Sequence, residues 1–416
     1  MKALRLDKRP LILIVLGTRP EAIKFLPVVQ ALREEPGLSV QVVATGQHRE
    51  MVDQILGPFG LVPDVDLDIM KPDQTINDIV ARVIPRLDRL YADLSPRMVL
   101  VQGDTTSAFA AALAAFHRKI EVGHVEAGLR SYDRAHPFPE ESNRRMISSV
   151  ADLHLAATPT SAANLLREGI PARDIVTTGN TVIDSLLTTL SRPDLIERHA
   201  IPNLQTNPVD PLVAITLHRR ENWMAGADPA GPSPLEQIFQ AIASAASEYP
   251  RAKFVYPVHR NPRVSEPARK ILGGRPNVLL LDPLPHIPFV DLMSRSTVIL
   301  TDSGGVQEEA PSLGVPVLVA RETTERPEAV ESGANTLVGT GTEAVLRELR
   351  RHLGASSRRK GRPPFPNPYG DGRASVRIRE AILHRLGRGE RPGDFRPEAG
   401  RVPVPVGSAM KSEDAR

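Results

Sequence analysis

The sequence predicts an α/β protein of two doubly wound, Rossmann-like lobes. Short apolar, β-branched runs alternate with helical patterns along the chain, as parallel strands covered by helices do. The runs fall into two series, separated by the proline-punctuated, aperiodic stretch Ser191–Asp210. At 416 residues the chain has the length for two domains with sizeable cores. Such lobes bind ligands beyond their strand carboxyl ends, so two facing lobes predict a central cleft.

In the first series the strands are expected at Leu11–Leu16, Val40–Ala44, Met98–Val101, Glu121–His124, Leu153–Ala157 and Ile175–Thr178. In the second they are expected at Leu212–Thr216, Lys253–Pro257, Val278–Leu281, Val298–Thr301 and Val315–Val319. All are short and mostly apolar, as strands buried on both faces tend to be. The domain reading is residues 1–190 for the first lobe, 191–210 for a linker and 211–370 for the second lobe. A helix over 371–386 would return to the first lobe, and the Gly-, Pro- and charge-rich 387–416 reads as a disordered tail. Met224–Pro234 is a Gly/Pro loop, and the basic Ser356–Pro366 reads as a solvated connector.

Composition excludes several function classes. The net charge of +3 and 4% aromatic content give no case for nucleic-acid binding. Without cysteine there is no disulfide, thiolate metal site or cysteine nucleophile. No run approaches the roughly 20 apolar residues of a membrane span. The basic MKALRLDKR and apolar LILIVLG at the start pass into TRPEAIK without a cleavage-site pattern, so they read as a first strand in a cytoplasmic protein.

Chemistry concentrates where strands end. In TDSGGVQEEAPSLG (301–314), Ser303, Gly304 and Gly305 follow a buried strand and open a helix. Glycines let backbone N–H groups approach a ligand, and a helix amino terminus favours negative charge. Glu309, about one turn on, could accept hydrogen bonds from a ribose diol. Arg19, after the first strand in GTRPE, could grip a phosphate in bidentate fashion or pair with a surface carboxylate. Asp104 (QGDTT), Glu126 (GHVEAGLR) and Glu140 (HPFPEESNRR) all sit at or beyond strand ends in the first lobe. Individually they read as a helix cap, a turn carboxylate and an i,i+4 partner of Arg144. Together they could divide acid and base duties. His218 (ITLHRREN) and His259 (YPVHRNP) end strands of the second lobe beside arginines, which suits an anionic ligand. No HExxH, GxGxxG or GxxxxGK[ST] pattern supports zinc, a dinucleotide or a P-loop.

These strings, with GQHREM (46–51), TGNTVID (178–184), TTERPEA (323–329) and NPYGDG (367–372), occur in the order found in the non-hydrolysing UDP-N-acetylglucosamine 2-epimerase family, which the chain closely resembles from Leu11 to about Leu386. The resemblance implies a glycosyltransferase-B-like fold, a homodimer and interconversion of UDP-GlcNAc and UDP-ManNAc for envelope polysaccharide synthesis, with no cofactor or metal. In that chemistry a C2 proton is removed as UDP departs anti from C1. A glycal-type intermediate and UDP stay bound, then recombine with reprotonation on the opposite face. By positional match Asp104, Glu126, Glu140 and His218 form the catalytic set. Arg19, Lys24, Ser303, Gly304, Gly305, Glu309 and Arg326 bind the UDP-sugar. Gln47, His48 and His259 resemble positions where bacterial members hold a second UDP-GlcNAc as activator.

Departures from the family pattern are Gln102, where many members have histidine, the long loop after HRREN, and the tail. Rival readings are a hydrolysing epimerase releasing ManNAc and UDP, a 2-epimerase for a related diacetamido-uronic acid nucleotide, a glycosyltransferase of the same fold, and a non-catalytic UDP-sugar-binding protein. The intact GTRPEAIK favours the non-hydrolysing branch.

Overall fold

The computed structural model describes residues 9–46, 49–71, 73–202, 204, 210–224, 231–354 and 366–397. These form two compact units. The first takes the described parts of Met1–Asn207 together with Leu281–Arg295 and Tyr369–Pro397, and the second takes those of Pro208–Leu280 and Ser296–Pro368.

The first unit is built on a parallel sheet of β1 (Leu11–Leu16), β2 (Ser39–Ala44), β3 (Val65–Asp66), β4 (Met98–Gln102), β5 (Glu121–Ala127), β6 (Leu153–Ala156) and β7 (Ile175–Thr177). Its spatial order is β3-β2-β1-β4-β5-β6-β7, with Ile12 opposite Met98 and Ile14 opposite Leu100. Alternation within β1 explains its unbroken hydrophobicity. Ile12, Ile14 and Leu16 pack with Phe25, Leu26 and Val29 on one face, while Leu13 and Val15 pack with Val83, Leu87 and Tyr91 on the other.

The second unit repeats the plan with β8 (Leu212–Thr216), β9 (Lys253–Pro257), β10 (Val278–Leu281), β11 (Val298–Thr301), β12 (Val317–Val319) and β13 (Asn335–Leu337). These lie in the order β10-β9-β8-β11-β12-β13. Val213, Ile215, Phe254, Tyr256 and Leu300 face the helices Pro234–Glu248 and Thr342–Gly354 in one core. In each sheet the strand order reverses beside the first strand of the unit, between β1 and β4 and between β8 and β11. The ends of those strands are where a doubly wound fold places its ligands.

Three features differ from the sequence reading. Leu281–Arg295, expected in the second lobe, belongs to the first unit. Its helix packs on Thr181–Leu190, with His286 Nε2 3.3 Å from Thr189 Oγ1, and Arg19 Nη2 donates to Leu284 O at 3.3 Å. The stretch read as a linker holds a helix at Pro193–Arg198. Gly387–Pro397, expected in the disordered tail, lies against the first unit. Phe395 is buried and its N–H donates to Thr177 O at 2.7 Å. The remainder of that tail, 398–416, lies outside the described residues, as do 225–230 of the Gly/Pro loop and 356–365 of the basic connector.

Close packing and buried histidines make two measurable predictions. Gly128 has φ of 87°, and a β-carbon there would stand 2.2 Å from Ser161 O. Gly128→Ala should therefore destabilise the fold by on the order of 3 kcal/mol, seen as a lower thermal midpoint. An unchanged midpoint would mean that this loop yields. Burial depresses His124 to about 3, and His154 and His286 to about 4. Below the ordinary histidine value of about 6.5 the unfolded chain takes up protons that these folded imidazoles refuse. Stability should thus fall progressively as pH drops from about 6.5 towards 4. Melting temperatures across that range test it, and a flat profile would refute it.

Candidate functional site

At the first switch point, Gly17 and Thr18 end β1 and Thr18 starts the helix Arg19–Arg33. The buried Glu21 gathers this turn. Its Oε2 accepts from the N–H groups of Gly17 at 3.0 Å and Thr18 at 2.7 Å, and from Thr18 Oγ1 at 2.8 Å. Its other oxygen accepts from Thr105 Oγ1 at 2.8 Å, tying the β1 turn to the β4 turn. One helical turn beyond Arg19, Lys24 pairs with Glu126 Oε2, which also accepts from Gln102 Nε2.

Glu126 lies within β5, at the register shift between Val125 and Ala127, with φ 63°. A left-handed backbone costs a non-glycine residue about 1–2 kcal/mol. The bulge aims the carboxylate at Lys24 and Gln102 instead of leaving it in the turn predicted from sequence.

Asp104 does not cap the next helix. That role falls to Thr105, whose Oγ1 accepts from Ala108 N at 3.0 Å. Asp104 instead receives Arg144 Nη2 at 2.5 Å, so Arg144 is engaged here and, at 3.6 Å, with Glu141. Burial pushes the Asp104 carboxyl up. The charges of Glu126 and Glu140 push it the same way, while Arg144 and Lys24 oppose them. Glu140 opens the helix Glu140–Val150. Asp104 therefore feels the charge of both other acids, although Glu126 lies within β5 and not beyond its end as the sequence reading had it.

At the second switch point the organising residue is Asp302, fully buried after β11. Its carboxylate accepts from His218 N at 3.0 Å, Arg219 N at 2.9 Å and Asn222 Nδ2 at 3.0 Å. It also lies 3.5 Å from His218 Nδ1. Burial lowers the His218 pKa; Arg219 and His259 add to that and Asp302 opposes it. The His218 and His259 rings stack with centroids 6.2 Å apart.

Ser303 precedes the short helix Gly304–Glu309 without a capping bond from its side chain. A β-carbon on Gly304 would lie 3.5 Å from Arg219 Nη2 and 3.9 Å from Arg326 Nη2, so two guanidiniums overlook this glycine. Arg326 pairs with the buried Glu308, and Arg219 with Glu325 at 2.8 Å. Burial pushes Glu325 up, but Arg219 and Arg321 hold it at about 2. Glu309 Oε1 stands 3.6 Å from the β-carbon position of Gly305. A cluster of cations around an open glycine turn suits a diphosphate.

Gln47 and His48 lie outside the described residues. Glu21, Asp302 and Glu308 were missed as site residues. Each lies in a quoted motif. Glu21 was legible as the far end of a Thr18–Glu21 capping box, whereas Asp302 and Glu308 act on backbone or cations that only the fold brings near. Among the described residues no group of three or more His, Cys, Asp or Glu could hold a metal ion. No helix there is long and apolar enough to cross a membrane.

Comparison with known proteins gives the same picture. The family model described as UDP-N-acetylglucosamine 2-epimerase matches residues 30–383. The UDP-N-acetylglucosamine 2-epimerase of Salmonella typhimurium is 46% identical over 379 residues, covering 89% of this chain and 98% of the relative. The crystal structure of UDP-GlcNAc 2-epimerase from Neisseria meningitidis, bound to UDP-GlcNAc, is 43% identical with a TM-score of 0.78, covering 90% of this chain and 100% of that one. The glycotransferase of kitacinnamycin, 13% identical with a TM-score of 0.53 over 91% of this chain and 100% of its own, shares the fold alone, which is the glycosyltransferase-B-like class expected. With both parallel-sheet units matched at this identity, the chain belongs to the UDP-N-acetylglucosamine 2-epimerase family.

Proposed function

We propose that this chain interconverts UDP-GlcNAc and UDP-ManNAc without hydrolysis, as a cytoplasmic homodimer. The C2 proton leaves as UDP departs anti from C1. The glycal-type intermediate and UDP stay bound and recombine with reprotonation on the opposite face. Inversion at C2 needs proton-transfer groups on both faces of the sugar, hence more than one acid or base.

The observation that carries the reading is the cluster of Asp104, Glu126 and Glu140, three acids in unlike surroundings. The Asp104 carboxyl is pushed up by burial and by the other two acids, whereas Glu126 accepts hydrogen bonds from Lys24 and Gln102. Carboxyls so differentiated can divide proton donation and acceptance. In the second unit, His218, Arg219, Arg326 and the Ser303–Gly305 turn would stabilise the departing diphosphate, and Glu309 the ribose. Arg19 would add to the diphosphate charge balance. A second UDP-GlcNAc at Gln47, His48 and His259 would activate.

Proton NMR of the protein with UDP-GlcNAc in deuterated water, with no added metal or nicotinamide, tests the reading. UDP-ManNAc carrying deuterium at C2 is expected. Accumulation of free ManNAc would move the chain to the hydrolysing branch. UDP binding without turnover would indicate another sugar or a binding protein.

A further inference from the structure

We propose that His124 and Asn143 are positioning residues that hold the Asp104 backbone in register with Glu126 and Glu140, and that His124 does so through its Nε2–H. The inference rests on the proton-transfer role proposed for Asp104.

His124 is fully buried on β5, two residues before Glu126. Its Nε2 lies 2.7 Å from Gly103 O. A carbonyl can only accept, so Nε2 carries the hydrogen. Burial, which keeps this ring neutral down to about 3, leaves it one N–H, and the buried Nδ1 has no hydrogen-bond partner among the described residues. A buried polar atom left unpaired is costly, so an apolar side chain would suit a purely space-filling role better. The polar contact the ring does make falls on the peptide that joins Gly103 to Asp104.

Gly103 is held from its other side as well, its N–H donating to Val125 O at 3.0 Å. One residue on, Asp104 O accepts from Asn143 Nδ2 at 3.0 Å. Asn143 is buried and stands three residues after Glu140, on the same helical face. Both peptides flanking the Asp104 α-carbon are thus pinned, one from the strand that carries Glu126 and one from the helix that carries Glu140. Freedom remains only in the Asp104 side chain, which Arg144 meets at 2.5 Å. Misplacing a reacting group by about 1 Å can cost about 10²-fold in rate.

Glutamine places its amide nitrogen where the histidine Nε2 stands, and asparagine places its own near Nδ1. The test is therefore His124→Gln, His124→Asn and Asn143→Ala, each alone and combined with Asp104→Asn, with kcat, KM and thermal midpoint measured on UDP-GlcNAc. His124→Gln should stay within about threefold of the parent, while His124→Asn and Asn143→Ala lose about 10- to 100-fold in kcat at little change in KM. In the Asp104→Asn background both losses should vanish, because their route runs through Asp104. Equal activity of the Gln and Asn variants, or losses that persist in full without Asp104, would overturn the inference. Should His124→Asn fail to fold, the Asn143→Ala pair decides by the same criterion. An Asp104→Asn enzyme that turns over normally would instead sink the proton-transfer reading, and this inference with it.

Discussion

Asp104→Asn is expected to cut turnover of UDP-GlcNAc by about 10²- to 10⁴-fold, the usual contribution of a positioned acid or base. The substitution keeps size, and the amide oxygen can still accept from Arg144, so the β4 turn should persist. What it removes is a carboxyl whose pKa is raised by burial and by Glu126 and Glu140, and hence a group able to hold and release a proton at the sugar. UDP affinity should change far less than turnover, because of the cations proposed for the diphosphate only Arg19 lies in the same unit as Asp104, while Arg219 and Arg326 lie in the other. Steady-state rates together with calorimetric UDP titration separate the two effects. Normal turnover in Asp104→Asn would remove this residue from the chemistry.

Asp302→Ala should act oppositely, on stability and UDP binding together. Its buried carboxylate satisfies two backbone N–H groups and the Asn222 amide. Each donor left unpaired costs about 1–3 kcal/mol, so the second unit should lose roughly 3 kcal/mol or more. The turn that presents His218 and Arg219 would lose its acceptor, and UDP affinity should fall at least about tenfold, as loss of one or two charge-assisted hydrogen bonds implies. A variant with parental melting temperature and UDP affinity would refute the organising role of Asp302.

The central strands were legible because burial on both faces leaves a plain apolar signature, as in Leu11–Leu16 and Val298–Thr301. Val65–Asp66 and Asn335–Leu337 were not, although the other two edge strands, Ile175–Thr177 and Val278–Leu281, were: the first has only two residues, and Asn335 and Thr336 leave the second without an apolar run. Among the candidate site residues, Asp104, Glu126 and His218 drew notice at the ends of apolar runs and Glu140 at a helix start, and the family resemblance singled them out as a set. Asp302 escaped although it sits between Thr301 and Ser303. Its partners lie 80 or more residues away in sequence, and an aspartate accepting backbone N–H groups looks from sequence like any turn residue. The assignment of Leu281–Arg295 to the first unit was equally hidden, because its helix resembles every other amphipathic crossover.

That assignment bears on how the protein is made. The first unit draws its sheet from the opening 177 residues, yet Ile378, Ala381 and Ile382 fill part of the same core. On the ribosome the sheet of the first unit must wait for the last helix before that face is sealed, whereas the second unit has its whole core by Leu353. The unit begun first is completed last. A released chain truncated before residue 374 should therefore expose the apolar face of Arg19–Arg33 to chaperones or proteases while the later-translated sheet has its core complete.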